Sequence, residues 1–263
     1  MDLNLIKDAL VELGVTPPPV FFYETTDSTN ERAREYARLH PESKSPALFI
    51  AEKQTAGRGR RGRRFFSEAG VGIYMTLLLY PKEQGALIGR ITARSAVALS
   101  EAISSLAPVR PSIKWVNDLY LGGKKIAGIL AEGESLPDGS FGHLALGMGI
   151  NVYKTPLPEE ISDIATSIEA VCQEKIQREA LIARIIKNLL FPDLTEGELL
   201  EKYRSLSLVR GKEITVIPYG ADSYGATAVE ILDDYSLLVR REGGELIRLS
   251  SGEVSTRVKE KDN

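Results

Sequence analysis

Between Gly57 and Arg64 the chain reads GRGRRGRR, preceded by Gln54-Thr55-Ala56. Guanidinium forks grip carboxylate and phosphate oxygens two at a time. Glycines carry no Cβ, so backbone N–H groups can close on a ligand. The chemistry implied is capture of an anion, either nucleic acid or the phosphates of a nucleotide; the plain alternative is a solvated basic loop. Gly57, Gly59 and Gly62 match the spacing of a dinucleotide fingerprint, but that motif needs a helix starting inside it and an acidic residue ~20 positions on. Here the chain continues into RRFFSEAGVGIYMTLLLY, a loop and a strand, and no Gly-Lys-Ser/Thr closes it as a P-loop would. Arginines this close repel one another, so without an anion the loop is expected to be loose.

Three further clusters carry chemistry. KWVND at 114–118 brings together a cation, the only tryptophan of the chain, an amide and a carboxylate. Asn117-Asp118 can simply open a turn; the chemical reading has Lys114 meeting phosphate and Asp118 a metal ion or an adenine amine. In GGKKIAGIL, strand alternation sends Lys124 and Lys125 to opposite faces. Lys125 then shares a face with Ala127 and Ile129, an apolar setting in which a lysine needs a reason. Gly128 within that strand marks close approach of a ligand or another backbone. In ALGMGIN, Gly147 and Gly149 share one face and leave a shelf against which a ring can lie. Taken alone, that pair reads as packing glycines.

The elements that must position these residues follow from periodicity. Helices are expected from the amphipathic start to Gly14, over DSTNERAREYARLH with Ser28 and Glu31 in capping-box spacing, and over ALIGRITARSAVALSEAISSL. Others are expected over 159–170, 175–191 and EGELLEKYRSLS. Strands are expected over VFFYET, ALFIAE, GIYMTLLLY and HLALGMGIN, with SIKWVNDLYL as a strand that turns at Gly122-Gly123 into a hairpin. Beyond Gly211, KEITVIP, YGATAVEIL, SLLVRRE and ELIRLS are short strands at regular spacing, the pattern of a small barrel or sandwich. The expected organisation is a main domain over 1–206 and a small β domain over 207–263.

A chain of 263 residues holds one large domain, or a large one and a small one. Its 33 Lys+Arg against 36 Asp+Glu give a net charge of −3, which argues against wholesale coating by nucleic acid; a polyanion must be met locally. Cys172 is the only cysteine, so no internal disulfide forms, which fits a reducing cytoplasm. His40 and His143 lack zinc-ligand spacing. The acidic, amphipathic start is unlike a signal peptide, and no apolar run reaches membrane-spanning length. A soluble cytoplasmic protein is expected.

DSTN at 27–30, QTAGRGRRGR at 54–63, KWVND at 114–118, KKIAGIL at 124–130 and GMGIN at 147–151 together resemble the biotin protein ligases, the biotin–[acetyl-CoA-carboxylase] ligases, in order and spacing. The resemblance covers roughly residues 20 to 250. It implies an α+β fold: a mixed β-sheet catalytic domain with flanking helices, followed by a small C-terminal β-barrel. It also implies a two-step reaction. The biotin carboxylate attacks the α-phosphate of ATP, giving biotinyl-AMP and pyrophosphate; a lysine of a biotin carboxyl carrier protein domain then takes the biotinyl group.

The resemblance also carries roles. Ser28, Thr29 and Gln54 match partners of the biotin ring, and Gly147 the shelf beneath it. Gly57, Arg58 and Arg60 match a loop closing over biotin and the acyl-phosphate, and Arg63 a residue near the triphosphate. Lys125 and Gly128 match the strand beside the biotin carboxylate, with Lys125 and Arg60 the catalytic candidates. Lys114, Asn117, Asp118 and Asn151 match nucleotide contacts, Asp118 being the candidate ligand for Mg²⁺. Val116 stands where the family usually has proline, which is expected to loosen the turn before Asn117. The 19 residues ahead of the first strand are too short for the winged helix of repressor members, so a monofunctional enzyme without sequence-specific DNA binding is expected. Edge-to-edge pairing of sheets in the family allows a homodimer. Two alternatives stand beside this reading. A lipoate or octanoate ligase of related fold is disfavoured by the arginine loop. A nucleic-acid-binding module is disfavoured by net acidity and the lack of interleaved aromatics.

Overall fold

In segments 47–54, 72–79 and 141–151 apolar side chains fill both faces of a strand, which requires cover on two sides. The computed structural model, which describes residues 1–81, 87–136, 141–218, 220–250 and 254–258, meets that requirement with helices on both sides of a mixed sheet. The order begins α1 (Leu3–Glu12), β1 (Val20–Thr26), α2 (Thr29–Leu39), β2 (Ala47–Gln54), a 3-10 turn (Arg60–Gly62), β3 (Gly72–Leu79) and α3 (Leu87–Ser104). Then come β4 (Ser112–Lys114), β5 (Asp118–Leu121), β6 (Lys124–Ser135), β7 (Phe141–Asn151), α4 (Glu159–Ser162), α5 (Ile168–Cys172), α6 (Arg178–Leu190) and α7 (Glu196–Leu206). The chain closes with β8 (Glu213–Pro218), β9 (Tyr224–Ile231), β10 (Leu237–Arg241), β11 (Leu246–Leu249) and β12 (Val254–Val258).

The main sheet has seven strands in the order β1-β2-β3-β7-β6-β5-β4. β1 and β2 run parallel because α2 crosses between them; the other neighbours are antiparallel. Leu48, Ile50, Ile73, Met75, Leu77, Leu146, Met148 and Ile150 point to one face and join α3 and α6 in the main core. Ala47, Phe49, Leu78 and Ala145 point to the other, where Ala33 and Ala37 of α2 meet them. Since α2 is only 11 residues long, part of that second face is left for a site.

The C-terminal strands form a separate five-stranded antiparallel sheet, β11-β10-β9-β8-β12. Its buried residues Ile214, Val216, Ala228 and Leu237 continue the main core. The architecture is thus α+β as expected. Among the described residues no helix is long and apolar enough to cross a membrane.

Three expectations need correction. SIKWVNDLYL is not one strand: β4 ends at Lys114, and the chain turns through Trp115–Asn117 so that β5 pairs antiparallel with β4. The helix expected over 159–170 is split into α4 and α5, because Thr166 N–H donates to the Lys125 carbonyl and Lys125 N–H to the Ile164 carbonyl, tying the segment to β6. The Ser28–Glu31 capping box does not form. Ser28 is the N-cap but makes no side-chain cap bond, and Glu31 pairs with arginines instead. A complete capping box stands at Thr195–Glu198, opening α7.

His143 lies buried on the α2 side of β7. Burial lowers its pKa; the Glu134 carboxylate, 3.1 Å from Nδ1, opposes that, while Arg34, Arg38 and Lys44 reinforce it. The unfolded chain therefore takes the proton more readily. Stability from this group is full above its ordinary value of 6.5 and declines as pH falls below it. The thermal midpoint is expected to drop more between pH 7 and pH 5 in the wild type than in His143→Gln; parallel curves would refute this account.

Candidate functional site

The uncovered part of the sheet is a strip with no side chains. Gly128 on β6 lies opposite Gly149 on β7, and Gly147 lies between Leu130 and Thr76. Each bare position receives a group from elsewhere. A Cβ on Gly147 would lie 2.2 Å from Asn30 Oδ1, and one on Gly149 2.5 Å from the Phe65 ring. A Cβ on Gly128 would stand 3.1 Å from Lys125 Nζ. The glycine pair of β7 is therefore a packing pair as well as the floor of a cavity lined by Ser28, Thr29, Gln54, Arg58, Arg60, Asn117 and Lys125.

The wall under α2 is polar. Gln54 Oε1 accepts from Thr29 N–H (2.8 Å), and Gln54 Nε2 donates to Ser67 Oγ (3.2 Å). Thr76 Oγ1 lies 2.8 Å from Thr29 Oγ1 and 2.6 Å from Asn30 Oδ1, while Asn30 Nδ2 donates to Glu132 at 2.7 Å. Ser28, 3% exposed, makes no side-chain bond to the helix it caps. Its hydroxyl stands at the cavity wall, where a ligand donor or acceptor can meet it.

The opposite side is charged. Lys125 Nζ lies 2.8 Å from Asp118 Oδ1. Simple alternation put Lys125 on the face of Ala127 and Ile129; the structure corrects that. The β5–β6 register shifts between Leu119 and Tyr120: Ala127 faces Leu119 and Lys125 faces Tyr120, which leaves Ile126 as the extra residue of a bulge. The bulge turns Lys125 onto the face of Gly128, and Lys124 goes outward to the Ser162 carbonyl. Asn117 ties the side together. Its Nδ2 donates to Asp118 and to the Ile129 carbonyl (3.0 Å each), and its Oδ1 accepts from Arg60 at 3.1 Å.

The arginine loop is a folded hairpin. Gly59 N–H donates to the Arg63 carbonyl (2.7 Å), and Phe65 N–H to the Gly57 carbonyl (3.0 Å). Repulsion among the arginines is offset by separate acceptors. Arg58 pairs with Glu31 at 2.7 Å, Arg60 with Asn117, and Arg64 with the Thr55 carbonyl at 3.2 Å. Gly57 is needed for close approach, since a Cβ there would lie 2.7 Å from Ser67 Oγ. Arg63 is exposed.

Asn151 continues the same face of β7 but opens into a second cavity, of about 150 Å³, shared with Phe66, Tyr153, Thr166 and Ser167; its Nδ2 donates to the Thr166 carbonyl. Lys114 sits 5.4 Å from the Tyr120 ring centroid and, like Arg63, lines neither cavity. Val116 does not loosen its turn. It is fully buried, and its carbonyl accepts from Tyr203 at 3.0 Å. Sequence reasoning missed Asn30, Phe65, Thr76 and Glu132. Thr76 had left a trace, as the one threonine inside the otherwise apolar and aromatic GIYMTLLLY.

A bare glycine strip, a polar wall and an arginine loop on this mixed sheet define a known class, and the chain belongs to it: the biotin/lipoate A/B protein ligase family, whose profile matches residues 22–151. Within it, the chain is 37% identical over 170 residues to the bifunctional ligase/repressor BirA of Bacillus subtilis, covering 64% of this chain and 51% of that protein. The chain thus spans about half the length of the Bacillus proteins it matches. It is 29% identical over 267 residues to the biotin–[acetyl-CoA-carboxylase] ligase of Mycobacterium tuberculosis, covering 97% of this chain and 95% of that one. The biotin protein ligase of Aquifex aeolicus in complex with biotin and ATP superposes with a TM-score of 0.75 at 29% identity, over 92% of this chain and 99% of that chain.

The wedge of Asn30 against Gly147 gives a stability prediction. Gly147→Ala forces Asn30 out of its bonds to Thr76 and Glu132. Overpacking of this kind costs about 1–3 kcal/mol, at about 2–4 °C per kcal/mol for a chain near this size. Calorimetry should show that drop, whereas Gly197→Ala, with open space around it, should show none.

Proposed function

We propose that this chain activates biotin with ATP as biotinyl-AMP and transfers the biotinyl group to a lysine of a biotin carboxyl carrier domain. The observation that carries the reading is the charged junction of Lys125, Asp118, Asn117 and Arg60 at one side of the first cavity, with a second cavity opening at Asn151 on the same strand as Gly147 and Gly149. Biotin takes the first cavity. Ser28 and the Thr29–Gln54 pair meet its ureido ring, and Gly147 and Gly149 lie beneath it. The nucleotide takes the second cavity, with Asn151 beside the base and Lys114 and Arg63 toward the outer phosphates.

The biotin carboxylate and the α-phosphate then meet at the junction. A carboxylate oxygen bonds to phosphorus as pyrophosphate leaves, and two anions become a mixed anhydride. That step needs positioning and charge neutralisation more than proton transfer. Lys125, on its bulge, supplies a cation at the carboxylate. Arg60, oriented by Asn117, supplies a second at the phosphate, and Gly57 and Arg58 hold the loop that bears it. In the second step the carrier amine attacks the acyl carbon, loses a proton, and AMP departs.

Mg²⁺ fits as a companion of the triphosphate. Asp118 offers one carboxylate, already held by Lys125, and among the described residues no cluster of three acidic or imidazole ligands builds a cage. Mg²⁺ bound mainly by phosphates needs only one or two protein carboxylates and would neutralise the leaving pyrophosphate.

The C-terminal strands we read as the small barrel of the resemblance, 207–263 forming a unit beside the catalytic 1–206. β1 is an edge of the main sheet, the position at which an edge-to-edge homodimer would pair. An ATP-fed reaction on a carboxylase belongs in the cytoplasm.

The test is the mass of a carrier domain incubated with biotin, ATP and Mg²⁺, and in parallel with lipoate or octanoate. Biotinylation of one lysine is expected. Transfer of lipoate or octanoate without biotin would overturn the substrate while leaving the family intact. Lys125→Ala is expected to slow adenylation by about two orders of magnitude, with a stability change of about 1 kcal/mol or less, because its ion pair is partly solvated. Normal turnover in that variant would remove Lys125 from the reaction.

A further inference from the structure

The turn at Trp115–Asn117 hangs from β4, a three-residue strand at the edge of the main sheet. So short an edge holds little by itself. Yet this turn carries Asn117, whose amide orients Arg60 and Asp118. Its fixity comes from behind. Trp115 Nε1–H donates to the carbonyl of Tyr235 (2.8 Å), and the Tyr203 hydroxyl donates to the carbonyl of Val116 (3.0 Å); both bonds are buried. Leu208 N–H adds a bond to the Ile113 carbonyl at 2.7 Å. The rings of Tyr203 and Tyr235 meet edge to face, 5.5 Å apart at 86°.

Tyr235 is itself held in an unusual state. Its φ of 64° is left-handed for a residue with a Cβ. Such a conformation persists only where its surroundings over-determine it. Here Tyr235 N–H donates to the Leu232 carbonyl (2.8 Å), Leu232 N–H to the Ser236 carbonyl (2.9 Å), and Arg204 Nε to the Ile231 carbonyl (2.8 Å). The turn is thereby fastened to α7, and its carbonyl is aimed at the indole.

We propose that α7 and the β9–β10 turn of the C-terminal sheet complete the nucleotide site, with Tyr203 and Tyr235 as positioning residues for Asn117, Asp118 and Arg60. This rests on the function proposed above. Neither tyrosine lines the two cavities, so each acts through the peptide it holds. Rotation of the Val116 carbonyl swings the 116–117 peptide, and the Asn117 amide moves with it, releasing Arg60. The C-terminal sheet would then set how well the α-phosphate is held at the charged side of the first cavity, while the Ser28–Thr29–Gln54 wall that meets the biotin ring, on the α2 side, keeps its bonds.

Tyr203→Phe keeps the ring and removes the donor. The KM for ATP in biotin-dependent exchange of pyrophosphate into ATP is expected to rise about tenfold, the value of one well-placed hydrogen bond. The Kd for biotin alone is expected to stay within about twofold. Hydrogen exchange at Ile129 N–H, which donates to the Asn117 carbonyl at 2.9 Å, should quicken without any ligand. Ser100→Ala is the control. It removes a buried bond to the Pro111 carbonyl ahead of the same β4 strand and should lower the thermal midpoint without raising the KM for ATP. Should Tyr203→Phe fail to fold, Trp115→Phe removes the donor to Tyr235 and is expected to shift the KM in the same direction. If the tyrosine or tryptophan variant only lowers the midpoint, as Ser100→Ala does, the two tyrosines are structural and the proposal falls. If the wild type shows no biotin-dependent exchange, the functional reading fails instead, and exchange at Ile129 still decides whether the clamp exists.

Discussion

A sheet face stripped of side chains at Gly128, Gly147 and Gly149 is the constraint from which the rest of the site follows. Bare backbone in the middle of a buried sheet is costly, because nothing packs there and the chain loses more entropy on folding. The fold offsets this by bringing groups from three other places onto the strip: Asn30 from α2, Phe65 from the arginine loop, and the stem of Lys125 from the neighbouring bulge. Those same groups, with their neighbours, give the cavity its polar wall, its apolar lid and its charge. Stability and function draw on one set of contacts.

Electrostatics follows the same economy. Five arginines in one loop of an acidic protein look unfavourable until their partners are traced. Arg58 goes to a helix carboxylate, Arg60 to an amide, and Arg64 to a backbone carbonyl. The Arg58 pairing is between opposite charges. Arg60 and Arg64 also bond neutral oxygens, those of an amide and a backbone carbonyl, which hold the guanidinium groups in place without a carboxylate at those contacts. In the function proposed above, an arriving anion would find cations already in place, the preorganisation that makes charge stabilisation effective.

Much of this was legible in the sequence, and the failures have physical reasons. The strands, the crossover helix and the change of texture to short strands beyond Gly211 were carried by periodicity, which is local. The five motifs marked the residues that line the first cavity. The face of Lys125 was misread because alternation assumes an unbroken ladder, and nothing in KKIAGIL announces that Ile126 is the bulge. The Ser28–Glu31 box failed because Arg34 on the same helix and Arg58, 27 positions from Glu31, both take that carboxylate. Asn30, though inside DSTN, gave no sign that it would pack on Gly147, a contact spanning more than a hundred residues. The break of the helix expected over 159–170 is likewise set by β6, a distant partner. In each miss a pairing with a distant segment takes part in overriding a sound local rule.

The joint between the two sheets has an optical consequence. Trp115 is the only tryptophan in the chain, 5% exposed, with its indole N–H bonded to the Tyr235 carbonyl across that joint. All indole emission therefore originates at one point, in an apolar setting, two residues from Asn117. Tyr203 and Tyr235 stand beside it, close enough to pass excitation energy to the indole. The molecule carries a single built-in indole where the 115–117 turn meets its C-terminal sheet, and its emission reports on that junction.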